Sequence, residues 1–473
     1  QGGAYTFSGD IGGNVIFSGS SMTTSSNRNI TGVFTLTGET AVSGGRFDVA
    51  TSGEMVLQNG AKYNRTTGSA DWMLGTMTIE ENATATFAST NDLHVAYGDS
   101  ATQTGIINLL AGSTLNLQFD SSHAMHTYNK AAIKLAAGAV LNAEESTVHM
   151  KGTSTLTVGS GATAKFKTAS FAADTIIDLQ GGRMEMNKGT AQAIGGTVKL
   201  SNNAAVVYTL AGAHHDAVNE ISKVEMADAL GGSVSDAGGS GYIRINTLNL
   251  AEGVDSSVLN LTKTSDSSYL SMFELGKADT AAGNFAGKVV LSNTSTGEKR
   301  SAFLTVSDSS ILQHALVSLG EQPSSGAYLG VGINVTEATI GGIESQQALG
   351  DRAKLFSGKA RVGHGWNTGD GVDIADGTDV ARTLTINTAA ADADYTFYGV
   401  VQHNISLIKQ GEGSQTFAGK AQVGSLTVEA GELAFTANTS TISGNITVSG
   451  GALDFNGTYT LGAGKSLSIA TAT

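Results

Sequence analysis

Cysteine is absent from all 473 residues. That excludes a disulfide framework and a thiolate metal site. Proline occurs once, at Pro323. Because proline removes a donor from a strand ladder, its scarcity suits a chain whose backbone N–H groups are committed to pairing. Charge is sparse too. Charged residues make up 14% of the chain, where about 25% is usual, and Ser, Thr, Asn and Gly fill the gap. The formal net charge is −14, spread without blocks of one sign. Diffuse acidity argues against nucleic acid as a partner and against adhesion to an anionic membrane. No run approaches the ~18 apolar residues of a membrane helix, so this segment does not insert directly into a bilayer as one. The opening Gln1-Gly-Gly-Ala lacks basic-then-apolar character, so an export signal has been removed or was never there.

What the chain does have is glycine, 62 of them, and a repeated phrase. Leu426-Thr-Val-Glu-Ala-Gly-Glu-Leu-Ala-Phe435 returns as Ile446-Thr-Val-Ser-Gly-Gly-Ala-Leu-Asp-Phe455. Apolar residues match at Leu426/Ile446, Val428/Val448, Leu433/Leu453 and Phe435/Phe455, and a glycine (Gly431, Gly451) separates the two halves. Period-2 alternation around a glycine corner describes strand, corner, strand. Looser versions include Met77-Thr-Ile79 with Thr86-Phe87, Ile107-Asn-Leu109 with Leu115 and Leu117, and Leu156-Thr-Val158 with Phe166. A recurrence of about twenty to thirty residues is the scale of a solenoid coil. Hairpin signals are few: Asn59-Gly60 and Asn456-Gly457 are the only Asn-Gly pairs. The expected fold is all-β, a right-handed parallel β-helix with loop excursions; an antiparallel sandwich is its competitor.

The expected organisation is coils over 1–208, a Gly-rich excursion over 209–245 whose middle admits a short helix, coils over 246–345, a long loop over 346–382, and coils over 383–473. A Ser/Asp/Ala-rich stretch around the Tyr269–Leu275 island also interrupts the pattern.

One stretch resembles a known family. In Leu407-Ile-Lys-Gln-Gly-Glu-Gly-Ser-Gln-Thr-Phe-Ala-Gly419, followed by Gly431-Glu-Leu433, the residues Lys409, Gly411, Gly413, Phe417, Gly419, Gly431 and Leu433 fall where the autotransporter-associated β-strand repeat has them. The match covers 395–435 well, with weaker echoes at Tyr5–Gly9, Phe285–Lys288 and Phe356–Lys359. The resemblance implies a β-helical passenger domain, exported and then displayed at the bacterial surface or released. Lack of cysteine agrees with passage through an outer membrane. The family normally closes with a membrane barrel, and this chain stops at Ala470-Thr-Ala-Thr473, which favours a fragment or a cleaved product.

Several groups invite chemistry. Asp370, Asp373, Asp376 and Asp379 recur every third residue in a Gly-containing loop, and calcium takes six to eight oxygens from such flexible ligands; a solvated acidic loop is the plainer reading. His364 and Trp366, within Gly363-His-Gly-Trp-Asn-Thr-Gly-Asp370, offer an aromatic to a ligand such as a sugar. That stretch is also similar to the Gly-His-Gly and Asn-Thr-Asp-Gly elements of β-helical polygalacturonases, but here the elements are reversed and compressed, without the paired Asp-Asp or the Arg-Ile-Lys. Asp120, His123 and His126 have helical metal-ligand spacing, and His214, His215 and Asp216 sit together, both without a catalytic Glu or a third ligand type. Gly98-Asp-Ser100 has no evident base beside it. Trp72 reads as core. The expectation is a protein without enzymatic activity and without a cofactor, calcium aside. It is a secreted or surface adhesin or display scaffold meeting glycans, matrix proteins or copies of itself. The alternatives are a polysaccharide-acting enzyme using 363–379 and a self-assembling filament or layer subunit.

Overall fold

The computed structural model describes residues 4–98, 103–187, 192–209, 218–238, 241–266, 270–277, 283–296, 301–323, 326–360, 375–376, 380–437 and 439–470. Among these the regular elements are strands, apart from a single 3-10 helix at Gln347–Arg352. The chain divides into two compact units, Gln1–Thr209 and Leu210–Thr473.

In the first unit a strand does not pair with its successor. Lys62–Arg65 pairs in parallel with Thr84–Ser89, and that strand with Thr114–Phe119. Asp71–Met73 pairs with Leu93–Val95, and that with Ala124–Thr127. Glu54–Leu57 pairs with Thr76–Ile79, and that with Thr104–Leu109. The chain thus visits three parallel sheets in rotation, a solenoid-like order. Alternation decides which side of each strand goes inward. Met55, Met77, Ile107, Ile133, Leu156 and Ile177 form one in-register interior column, all buried. Each such side chain withdrawn from water contributes roughly 1.5–3 kcal/mol. At one corner Asn82 (φ 57°) takes the left-handed turn that Gly112 (φ 66°) and Gly138 (φ 69°) take one and two coils later. Their N–H groups donate to Ala111, Ala137 and Ser160 respectively at 2.9, 3.0 and 3.0 Å, so hydrogen bonding between coils continues around the bend.

The second unit begins with longer strands, each pairing with the second one on. Ser257–Lys263 pairs with Ala286–Asn293, that with Leu312–Leu319, and that with Glu337–Ser345. Toward its end the repeated phrase stacks in the register its apolar residues suggest: Leu426 on Ile446, Val428 on Val448, Leu433 on Leu453, Phe435 on Phe455. Phe397, Phe417, Phe435 and Phe455 form a column with centroid separations of 6.0, 5.5 and 5.6 Å.

Three expectations need correction. The excursion expected over 209–245 holds two strands, Val218–Met226 and Gly232–Asp236, and where a short helix was expected the first of these pairs with Tyr242–Leu250. The apolar island near 269–275 contains the strand Ser271–Leu275, paired with Ala302–Val306. The loop expected over 346–382 contains Ala353–Ser357, paired with Leu329–Ile333. The last two of these departures share a cause. Ser271–Leu275, Ala302–Val306, Leu329–Ile333 and Ala353–Ser357 are buried at every position, so the half-polar alternation that marks a strand is missing. On the outer side Phe303 and Phe356 lie over Gly330 and Gly332, where a Cβ would meet their rings at 2.8 and 2.7 Å.

Candidate functional site

Lys409, the one charged residue of the repeat-like motif, is wholly buried. Its ammonium donates to the carbonyls of Gln410 and Gly411 at 2.6 and 2.9 Å; the first also accepts from the Thr388 amide at 3.1 Å. Burial pulls its pKa down to about 8. Gly431 passes directly over it: a Cβ there would meet the Gly411 carbonyl at 2.4 Å and Nζ at 2.8 Å. The motif lysine is therefore part of the corner and offers nothing to a ligand.

The outward side chains of the first unit are different. Strands Asp71–Met73, Leu93–Val95, Ala124–Thr127 and the end of Val140–Met150 stack in register, and alternation sends their middle residues outward. Trp72, His94, His126 and His149 consequently form one column, each half-buried. The rings of His94 and His126 stack at 5.4 Å and 19°, and those of His126 and His149 at 4.9 Å and 21°. Tyr97 leans on Trp72 and on His94, both at 4.8 Å, and meets Tyr128 edge-on at 5.1 Å. A cation stands near each end: the Arg46 guanidinium 3.6 Å from the Trp72 centroid, and the Lys151 ammonium 5.2 Å from that of Tyr128. Burial holds all three imidazoles below the ordinary histidine range; Lys151 adds to this and Asp92 opposes it. For His126 the value falls to about 4.

On an adjoining side an open groove of about 380 Å³ is lined by Lys62, Asn64, Gln118, Asp120 and Glu145, among others. Asp120 is held below the usual carboxylate range by the Ser122 amide and by His123. A general acid for glycoside cleavage needs the opposite shift. The groove presents these polar side chains in the open.

Of the sequence candidates, Asp120 and His123 do meet, with Oδ1 and Nδ1 2.7 Å apart, but across a turn rather than along a helix. His126 lies on the following strand, where its nearest carboxylate is Asp92, 3.7 Å from Nε2. Trp72 is not core; it faces outward between inward-pointing Asp71 and Met73. Among the described residues no three His, Asp or Glu side chains are grouped to hold a metal ion. His364, Trp366, Asp370, Asp373, Asp379, His214, His215, Asp216, Asp99 and Ser100 lie outside the described residues, as does the side chain of Asp376. The chain matches no protein-family model, no curated protein and no solved structure.

The ladder itself was missed in the sequence, although a signal exists. Leu93-His-Val95, Met125-His-Thr127 and Val148-His-Met150 each carry a histidine at the outward position of a short alternating strand. Aligning those strands by their apolar flanks would have collected the three rings.

Proposed function

We propose that the chain is a right-handed parallel β-helix acting as an extracellular or bacterial surface scaffold, a passenger of the autotransporter type that works by adhesion. It meets glycans, matrix proteins or other copies of itself through its sides and loops. Parallel strands joined by crossovers are nearly always right-handed, which supports the coil sense. The observation that carries the function is where the distinctive side chains lie. Trp72, Tyr97, Tyr128, the three histidines and the polar groove all sit on the outside of stacked strands, as suits a surface that binds without turnover. Sugars and peptides are both recognised by aromatic rings beside hydrogen-bonding groups. Lys409 and its corner give the motif shared with the repeat family a physical role in stacking coils, which supports the passenger reading.

The test is a glycan and matrix-protein array probed with the full chain at pH 7.5, with reducing ends assayed in parallel. Binding without released sugar is the expected result. Released reducing ends would replace adhesion with catalysis, and silence on every ligand together with concentration-dependent assembly would replace it with a self-assembling subunit.

A further inference from the structure

We propose that His94, His126 and His149 form an acid-responsive switch in the first unit. Neutral, their imidazoles close a stacked strip beneath Tyr97 and Tyr128; with two or three protonated, the strip opens. This goes beyond the adhesin reading and stands without it.

The geometry leaves little room for charge. Adjacent rings lie 5.4 and 4.9 Å apart and nearly parallel. Two imidazolium ions at such a distance, half withdrawn from water, repel by several times the thermal energy. Nearby cations make matters worse, since Lys151 stands over Tyr128 at one end of the strip and Arg46 over Trp72 at the other. Three carboxylates belong to the surrounding strands and turns, but two are engaged. Asp48 is 2.7 Å from Arg46, and Asp120 is 2.7 Å from His123. Asp92, 3.7 Å from His126 Nε2, can offset one proton and not three.

Hydrogen bonding points the same way. Nδ1 of His94 is 3.2 Å from the Tyr128 hydroxyl, and Nδ1 of His149 is 2.7 Å from Ser170 Oγ. Nδ1 of His126 is buried with no partner at all. As the bare nitrogen of a neutral ring this costs little, whereas protonation would place a charged N–H there with nothing to accept it. The depressed histidine values agree.

A release point adjoins the strip. Ala96 is wholly buried and sits at φ 57°, a left-handed backbone that a residue with a Cβ adopts at a cost. It is the residue that turns Tyr97 back onto His94 and Trp72. The turn is tied down by the Asn129 side-chain amide, which donates to the Gly98 carbonyl at 2.9 Å. Relaxation of Ala96 would lift Tyr97 and open the rings to water.

For each histidine the folded pKa is below the unfolded one. Its contribution is therefore complete above the unfolded value near pH 6.5 and is lost as pH falls through the folded value, about 4 for His126. Tryptophan occurs only at positions 72 and 366, so a Trp366→Phe chain has Trp72 as its sole tryptophan reporter. In that chain, Trp72 emission should change reversibly between pH 6.5 and 4. Over the same window, amide exchange corrected for intrinsic rates should accelerate at least tenfold across 93–98 and 124–129 while staying constant across 176–186. Replacing all three histidines with glutamine should abolish both changes. Should that chain fail to fold, His126→Phe keeps a ring in the stack and should move the midpoint at least half a pH unit lower. An unchanged transition in a folded variant, or no transition in the parent chain down to pH 4, overturns the proposal.

Discussion

Asp71 is buried in the first unit and accepts four hydrogen bonds. Arg65 supplies two, at 2.5 and 2.8 Å, the Tyr63 hydroxyl one at 2.6 Å and the Phe47 amide one at 3.0 Å. The remaining Arg65 N–H groups reach the carbonyls of Gly45 and Thr67. A network filled this way gains little over an apolar core, yet removing one partner strands a buried charge. Asp71→Ala leaves the guanidinium, with no exposed surface of its own, uncompensated. It should lower stability by about 3–5 kcal/mol in urea denaturation; a loss under about 1 kcal/mol would mean the network is not formed. Lys409 poses the same question with one cation among neutral acceptors. Lys409→Met keeps the aliphatic stem but removes the ammonium from the Gly411 carbonyl and leaves the Gln410 carbonyl with the Thr388 amide alone, so a loss of about 1–3 kcal/mol is expected in thermal or urea melts.

Corners are the elements on which stacking depends most. Gly431 and Gly60 both have positive φ, 63° and 76°, but differ in surroundings. A Cβ on Gly431 collides with the Gly411 carbonyl at 2.4 Å, whereas one on Gly60 meets nothing within 4 Å. Alanine at Gly60 should cost about 1–2 kcal/mol from backbone strain alone. At Gly431 the loss should be clearly larger, as measured by denaturation of the two variants side by side; equal losses would show that the Gly431 corner is looser than described. Corners and strands were also the most legible part of the sequence. The phrase shared by 426–435 and 446–455 predicted which residues stack because each apolar position has one counterpart and the corner glycine fixes the phase. The histidine ladder was hidden for a related reason. His94 and His126 are 32 residues apart (126 − 94) and His126 and His149 only 23 (149 − 126), so no single linear spacing aligns the three. Grouping His126 with Asp120 and His123 assumed a helix, and a turn followed by a strand sends their side chains apart.

At the scale of the whole molecule, alternation alone does not fix how many strands make one circuit. The same period-2 pattern serves strands such as Glu54–Leu57 of the first unit, whose partner is the third strand on, and both the end of that unit and the middle of the second, where partners are the second strand on. Strands covered on both sides, such as Ala353–Ser357, carry no alternation to read, and that one falls within the loop expected over 346–382. Apart from the short antiparallel pair Lys359–Ala360 and Ala375–Asp376, what both units share is parallel pairing of strands distant in sequence, and the absence of native cysteine makes that directly measurable. Thr78 and Asn108 are outward, half-buried and in register on neighbouring coils, thirty residues apart in sequence by numbering (108 − 78). Nitroxide labels on a Thr78→Cys, Asn108→Cys chain should sit one strand spacing apart, about 4.8 Å at the backbone. Their continuous-wave electron paramagnetic resonance spectrum should be strongly broadened relative to the sum of the two single-label spectra. A spectrum equal to that sum would contradict the parallel stacking on which the account rests.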